Sequence, residues 1–160
     1  MTLMNSGLME SKVAARLIDM KKTLAAAESC SGGLLAHRLT NIPGSSAFFK
    51  LGLVTYSNES KTSLLKIPKP VIKQYGAVSQ QVATLMSQQI RKLYKTDYGI
   101  AISGIAGPGG GTKTKPVGLT YIAVSSSAED LCLECRFKGS RLDIKKKATS
   151  KALKTFLDFI

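Results

Sequence analysis

Leu24-Ala25-Ala26-Ala27-Glu28-Ser29-Cys30-Ser31-Gly32-Gly33 decides how this chain is read. An apolar run, Leu24 to Ala27, enters a Ser/Gly-rich turn and is followed by the amphipathic stretch Leu34 to Leu39, the pattern of a buried strand turning into a helix. The two glycines let backbone N–H groups approach a ligand closely. Ser29 or Ser31 is positioned to cap the helix and leave a second hydroxyl free. The turn therefore reads as an anion-binding element.

Outward from it, the spacing of Val13, Leu17 and Met20 predicts a helix over residues 8–21, and Thr23 to Ala27 a short strand. The helix after the turn runs to about Thr40, stopped by Asn41 and Pro43. Pro43-Gly44-Ser45-Ser46 leads into a predicted strand, Phe48 to Tyr56. A short helix from Asn58, taken as its N-cap, to Lys66 is closed by Pro68 and Pro70. Ser79 caps a helix with the apolar stripe Val82, Leu85, Met86, Ile90 and Leu93. Tyr98 to Ser103 reads as a buried strand that ends in the glycine-rich loop Gly104 to Gly111. Val117 to Ser125 and Leu131 to Phe137 form an antiparallel hairpin, and a last helix, about Leu142 to Phe159, buries Ala152, Leu153, Phe156 and Leu157. Alternating helices and strands followed by a hairpin imply an α/β class with a mixed sheet covered on both faces, and ligands at the carboxyl ends of strands.

A length of 160 residues with 44% hydrophobic content suits one domain with a sizeable core, residues 1–160. No run of about 18 apolar residues occurs, and Met1 to Met20 does not read as a secretory leader, so no membrane partner is expected and the cytoplasm is the expected location. Three cysteines without framework spacing fit a reducing compartment. The net charge of +13 invites nucleic acid as a partner. However, the cluster Arg141, Lys145, Lys146, Lys147, Lys151 and Lys154 has no interleaved aromatic residues and no nucleic-acid motif accompanies it. A solvated basic face is the favoured reading; a milder function, a positive field that concentrates a small phosphorylated substrate near its pocket, stays open beside it.

Several chemistries drop out. The single histidine, His37, lies in a helical pattern, so neither a metal site nor a Ser-His-Asp triad is expected. Cys132 and Cys135 fall three apart on a predicted strand and point to opposite faces. The glycine-rich loop lacks both phosphate-loop patterns. Ser63-Leu64-Leu65-Lys66 matches S-x-x-K without its companion motifs, leaving Lys66 as a surface residue. Serine chemistry assisted by a desolvated lysine remains. The segment holding Ser46, Tyr56 and Lys61 supplies its parts, provided the fold brings all three to one end of the sheet. For Ser29, Ser31, Ser45 and Ser46 taken singly, capping and turn formation is the plainer role.

Together these blocks resemble the CinA C-terminal domain family, specifically its stand-alone nicotinamide-nucleotide amidases. The matching segments are Ala27 to Gly33; Pro43 to Ser46 with Phe48-Phe49; Gly52 to Lys61; Gly76 to Ser79; Ser103 to Gly110; and Lys115 to Gly118. The resemblance implies a three-layer α/β/α sandwich with a mixed, mostly parallel sheet, no metal or organic cofactor, a homo-oligomer, and hydrolysis of nicotinamide mononucleotide to nicotinate mononucleotide and ammonia. It assigns Ser46 as nucleophile, Lys61 as general base, Tyr56 as a supporting hydroxyl and Ser29 as a site residue. Ser31, Gly32, Gly33, Ser103, Gly104 and Gly107 become candidates for oxyanion or phosphate contacts. Arg141 follows Ser140 where the family often reads Gly-Asp-Arg, and is a candidate for the phosphate. A non-enzymatic partner in competence or DNA uptake, and an amidase acting on another ring amide, stand as alternatives.

Overall fold

The structure is a computed structural model describing residues 6–160; the first five residues, and with them the start of the 1–160 assignment, lie outside the described residues. Its elements are α1 (Ser6–Asp19), β1 (Leu24–Glu28), α2 (Leu34–Thr40), a 3-10 turn (Ser45–Ala47), β2 (Phe49–Val54), α3 (Asn58–Leu65), α4 (Lys69–Tyr75), α5 (Gln80–Tyr94), β3 (Tyr98–Gly104), β4 (Leu119–Ser125), β5 (Asp130–Arg136) and α6 (Arg141–Phe159). The five strands form one sheet in the order β2-β1-β3-β4-β5. β1 pairs in parallel with both β2 and β3, and β4 is antiparallel to β3 and β5. The mixed α/β sheet expected from the sequence is therefore present, with β4 alone reversed.

The period of two sorts each central strand onto two cores. Leu24, Ala26, Ile100, Ile102, Ile122 and Val124 face a layer built by α1, α2 and α6, whose Val13, Leu17, Leu35, Leu39, Ala148 and Phe156 are fully buried. Ala25, Ala27, Ala101 and Ala123 face α3, α4 and α5 through Leu65, Ile72, Val82, Met86 and Ile90. The small residues on this second face let α5 sit close. At Gly99 a Cβ would lie 2.0 Å from the Ser87 carbonyl oxygen, so only glycine fits beneath that helix.

Two local expectations change. α3 is capped by Ser57, not Asn58: Ser57 and Ser60 form a reciprocal capping box, and Asn58 is the first helical residue. Pro70 does not end order but sits in the first turn of α4, where a missing N–H costs nothing. Ser79 caps α5 by accepting the Val82 N–H, as expected. The two cysteines of β5 divide between the cores, Cys135 to one and Cys132 to the other. No helix among the described residues is long and apolar enough to cross a membrane.

The chain leaves β1 toward β2 at one edge and returns across it to β3, so the sheet reverses its order at β1. Such a reversal opens a crevice at the carboxyl ends of the strands involved. Ser29, Thr55 and Gly104 all stand there.

Candidate active site

Beyond Glu28 the chain turns sharply, and the acid itself shapes the turn. Glu28 is 1% exposed, and its carboxylate accepts the N–H groups of Gly33 (3.2 Å), Leu35 (3.0 Å) and Ala36 (2.8 Å). It thereby satisfies the free donors at the start of α2. This corrects the expectation that Ser29 or Ser31 caps the helix. It also closes most of the supposed anion cradle, because the N–H groups of Gly32 and Leu34 go to the carbonyls of Ser29 and Ser31. The Ser31 N–H finds no acceptor among the described residues, and that of Cys30 meets only its own thiol.

With Glu28 holding the helix, Ser29 is aimed across the crevice at α3. Its Oγ lies 3.1 Å from Lys61 Nζ, which also donates to the Thr55 carbonyl at 2.7 Å. Thr55 is fixed in turn by its N–H donating to the Glu28 carbonyl. Lys61 is 1% exposed and has no carboxylate partner among the described residues. Burial disfavours its charged form and holds its pKa below the ordinary 10.5, with the Cys30 thiol opposing weakly. A buried amine with only a hydroxyl and one carbonyl for company is costly to keep charged. Once neutral, it can accept the proton of the hydroxyl it touches.

The walls come from three further loops. Arg141, the first residue of α6, donates to the Gly107 carbonyl and to the Tyr56 hydroxyl, each at 2.7 Å. Ser140 is the N-cap of α6 in a capping box with Asp143, so serine does the structural work a carboxylate would do there. Ser103 is fully buried and donates to the Ala77 carbonyl at 2.7 Å, tying β3 to the loop before α5. Gly104 ends β3, where a Cβ would come within 2.7 Å of the Thr120 hydroxyl. Cys30, between the two serines, is buried and its thiol is pushed up to about 11, so it stays protonated near neutrality.

Ser46 is not part of this arrangement. It is exposed in the turn that precedes β2, and the next residues, Ala47 and Phe48, carry the chain into the sheet at its opposite end. The Phe48 carbonyl accepts the Leu24 N–H at the start of β1, whereas Ser29 follows the end of that strand. A residue before a strand and one after it are separated by the strand's length, roughly 20 Å for six residues. The expected Ser46–Lys61 contact is therefore absent. The structure brings Ser29, Lys61, Tyr56, Gly107 and Arg141 to one end, with Ser31, Gly32 and Gly33 beside them.

Other positions carry less. His37 is exposed and meets Asn41 at 3.3 Å. Among the described residues no group of three or more His, Cys, Asp and Glu side chains is placed to hold a metal ion. A cavity of about 640 Å³ lies between α3 and α4, lined by Glu59, Thr62, Lys69 and Ile72, on the side of α3 away from Lys61.

The sequence profile of the CinA C-terminal domain matches residues 7–160. A CinA-like protein of Syntrophus aciditrophicus is 50% identical over 145 residues, covering 90% of this chain and 34% of that protein. One from Acidobacterium capsulatum is 51% identical over 131 residues, 82% of this chain and 32% of the relative. The chain thus spans about a third of the length of these relatives. Among solved structures, the competence/damage inducible protein CihA from Agrobacterium tumefaciens superposes with a TM-score of 0.94 at 33% identity, covering 99% of this chain and 98% of that one. The competence damage-inducible protein A of Klebsiella pneumoniae gives 0.93 at 32%, with 96% of each chain covered. Read with the fold and the crevice at β1, these matches establish that the chain belongs to the CinA C-terminal domain family.

Proposed function

We propose that this protein is an amidohydrolase that releases ammonia from the carboxamide of nicotinamide mononucleotide, with Ser29 as nucleophile and Lys61 as its general base. The observation that carries the reading is the 3.1 Å contact between the Ser29 hydroxyl and a buried lysine that has no counter-ion among the described residues. Neutral Lys61 takes the Ser29 proton while Oγ attacks the amide carbon. The oxyanion is met by the N–H groups of Cys30 and Ser31, each such donor being worth about 3 kcal/mol. Protonated Lys61 then delivers its proton to the amide nitrogen, and the C–N bond breaks to release ammonia. Water, deprotonated by the same amine, hydrolyses the ester to the acid and restores Ser29. Tyr56, held by Arg141, closes the open side of the crevice and presents an aromatic face to a pyridine ring.

The test is ammonia release from nicotinamide mononucleotide, nicotinamide riboside and nicotinamide, with turnover of the mononucleotide expected. No release from any of them would overturn the reading. The net charge of +13 and relatives described as competence/damage inducible favour a second reading, a DNA-associated partner. Salt-sensitive DNA binding without amidase activity would select it.

A further inference from the structure

At the end of the sheet away from Ser29 and Lys61, a groove of about 340 Å³ runs between β5 and the C-terminal half of α6. Its place follows from register. Asp130 stands level with Ser125 and so with Gly99 near the start of β3, whereas the crevice lies past Gly104 at the end of that strand. Alternation along β5 puts Leu131 and Leu133 on the same face as Cys135, toward α6, where both stay half-buried and join neither core. With Phe159 they give the groove an apolar floor.

Three polar groups line that groove without partners among the described residues. Thr155 is 3% exposed, and its hydroxyl makes no hydrogen bond. The usual refuge of a helical threonine is a carbonyl one turn back, and Thr40, Thr62 and Thr149 all take it. Thr155 does not, which leaves a buried hydroxyl calling for a ligand. Lys151 is half-buried one turn earlier on the same stripe of α6, and Glu129 is exposed at the start of β5. Neither side chain has a hydrogen bond or ion pair among the described residues. The other two acids of the groove are engaged, Asp130 by Gln88 at 2.6 Å and Asp158 by Lys154 at 3.0 Å.

An unpaired ammonium, an unpaired carboxylate and an unpaired hydroxyl above an apolar floor define a ligand that carries both charges and a hydrocarbon body. We infer that this groove binds a free amino acid with an apolar side chain. Lys151 takes its carboxylate, Glu129 takes its ammonium, and the Thr155 hydroxyl donates to a carboxylate oxygen. The ligand's side chain covers Leu131, Leu133 and Phe159. Three of the chain's ten acidic residues line this one groove, so the net charge of +13 does not make it a general anion site. The site is separate from the amidase crevice and does not rest on the amidase reading.

The test is calorimetric titration of L-leucine into the full chain as wild type, Thr155→Val, Glu129→Gln and Lys151→Met, with Lys73→Ala in the opposite helix layer as control. Binding at least about ten-fold weaker in each groove variant, and unaltered in Lys73→Ala, is expected. Isoamylamine and isocaproate are leucine without its carboxylate and without its ammonium. Each should bind at least about ten-fold more weakly than leucine. Thr155→Val keeps the shape of the side chain and removes an unpartnered hydroxyl, so its melting temperature should equal or exceed that of wild type. Lost binding is thereby separated from lost folding. A lowered melting temperature would mean that the hydroxyl is already partnered, which overturns the inference. So does the absence of any heat from leucine at about 10 mM, wild-type binding by Thr155→Val, or either analogue binding as tightly as leucine.

Discussion

The turn at Ser29–Gly33 and the turn at Pro43–Ala47 share a composition of Ser and Gly and differ in which end of a strand they occupy. The first follows β1 and drops its serines among Lys61, Thr55 and Ser103 at the reversal of the sheet. The second precedes β2, leaves Ser46 in solvent and serves to lead Phe48 into the core. Burial and direction, not residue type, separate the serine that meets a buried amine from a turn serine. The lysine confirms the asymmetry: only the first turn has a desolvated amine within reach.

The largest expected effect comes from removing that amine. Lys61→Met should reduce ammonia release on the order of 10³-fold or more, since an unassisted serine is a poor nucleophile. The same change should stabilise the fold at neutral pH by about 1 kcal/mol, because it replaces a buried ionisable group by an apolar one of similar shape. A melting curve shifted upward by roughly 2–4 °C for an inactive variant would sharpen the comparison. Equal losses of activity and stability would break it.

Glu28→Gln comes next. The carboxylate holds three N–H groups of α2 at a fully buried position, so the amide should cost about 2 kcal/mol and misplace Ser29. Denaturant midpoints and kcat should fall together. No substitution in the second turn should couple the two in this way.

The pH profile carries a sign that follows from Lys61. Its folded pKa is lowered, so the unfolded chain binds more protons between that value and the ordinary 10.5, and stability contributed by this group rises with pH across that window. Activity requires the neutral amine, so kcat/KM should rise through a pKa below 10.5. A profile rising only near the ordinary lysine value would mean that Lys61 is not desolvated in solution. The smallest effect is expected at Gly44, whose φ of +80° strains any other residue but around which a Cβ meets nothing within 4 Å. Gly44→Ala should cost about 1 kcal/mol of stability and leave turnover intact, as a purely structural turn requires.

Much of the architecture was legible because periodicity reports burial directly. The Leu24 to Ala27 run, the α5 stripe as far as Ile90, the β4–β5 hairpin and the opposed cysteines of β5 all follow from spacing, whereas Leu93, expected on the stripe, is exposed at the end of α5. The absence of the expected Ser46–Lys61 contact has a definite source. Ser46 and Tyr56 flank one strand, Phe49–Val54, and so belong to opposite ends of the sheet, a constraint readable from the sequence once β2 is placed. The role of Glu28 was hidden differently. An acid at the end of an apolar run looks like a strand boundary, and only the burial of its carboxylate against the start of α2 marks it as a cap. α4 was missed because Pro68 and Pro70 read as terminators, although proline in a first turn is compatible with a helix. Ser29 entered the sequence reading as a site residue but not as the partner of Lys61, since 32 positions separate them and only the crossover through β2 closes that gap.

The most direct test of the account is ammonia release from nicotinamide mononucleotide by Ser29→Ala and Ser46→Ala, measured side by side with circular dichroism to confirm folding. The account predicts a loss on the order of 10³-fold or more for Ser29→Ala and turnover within about two-fold of wild type for Ser46→Ala. Near-normal turnover by folded Ser29→Ala, or loss of turnover in folded Ser46→Ala, would contradict it.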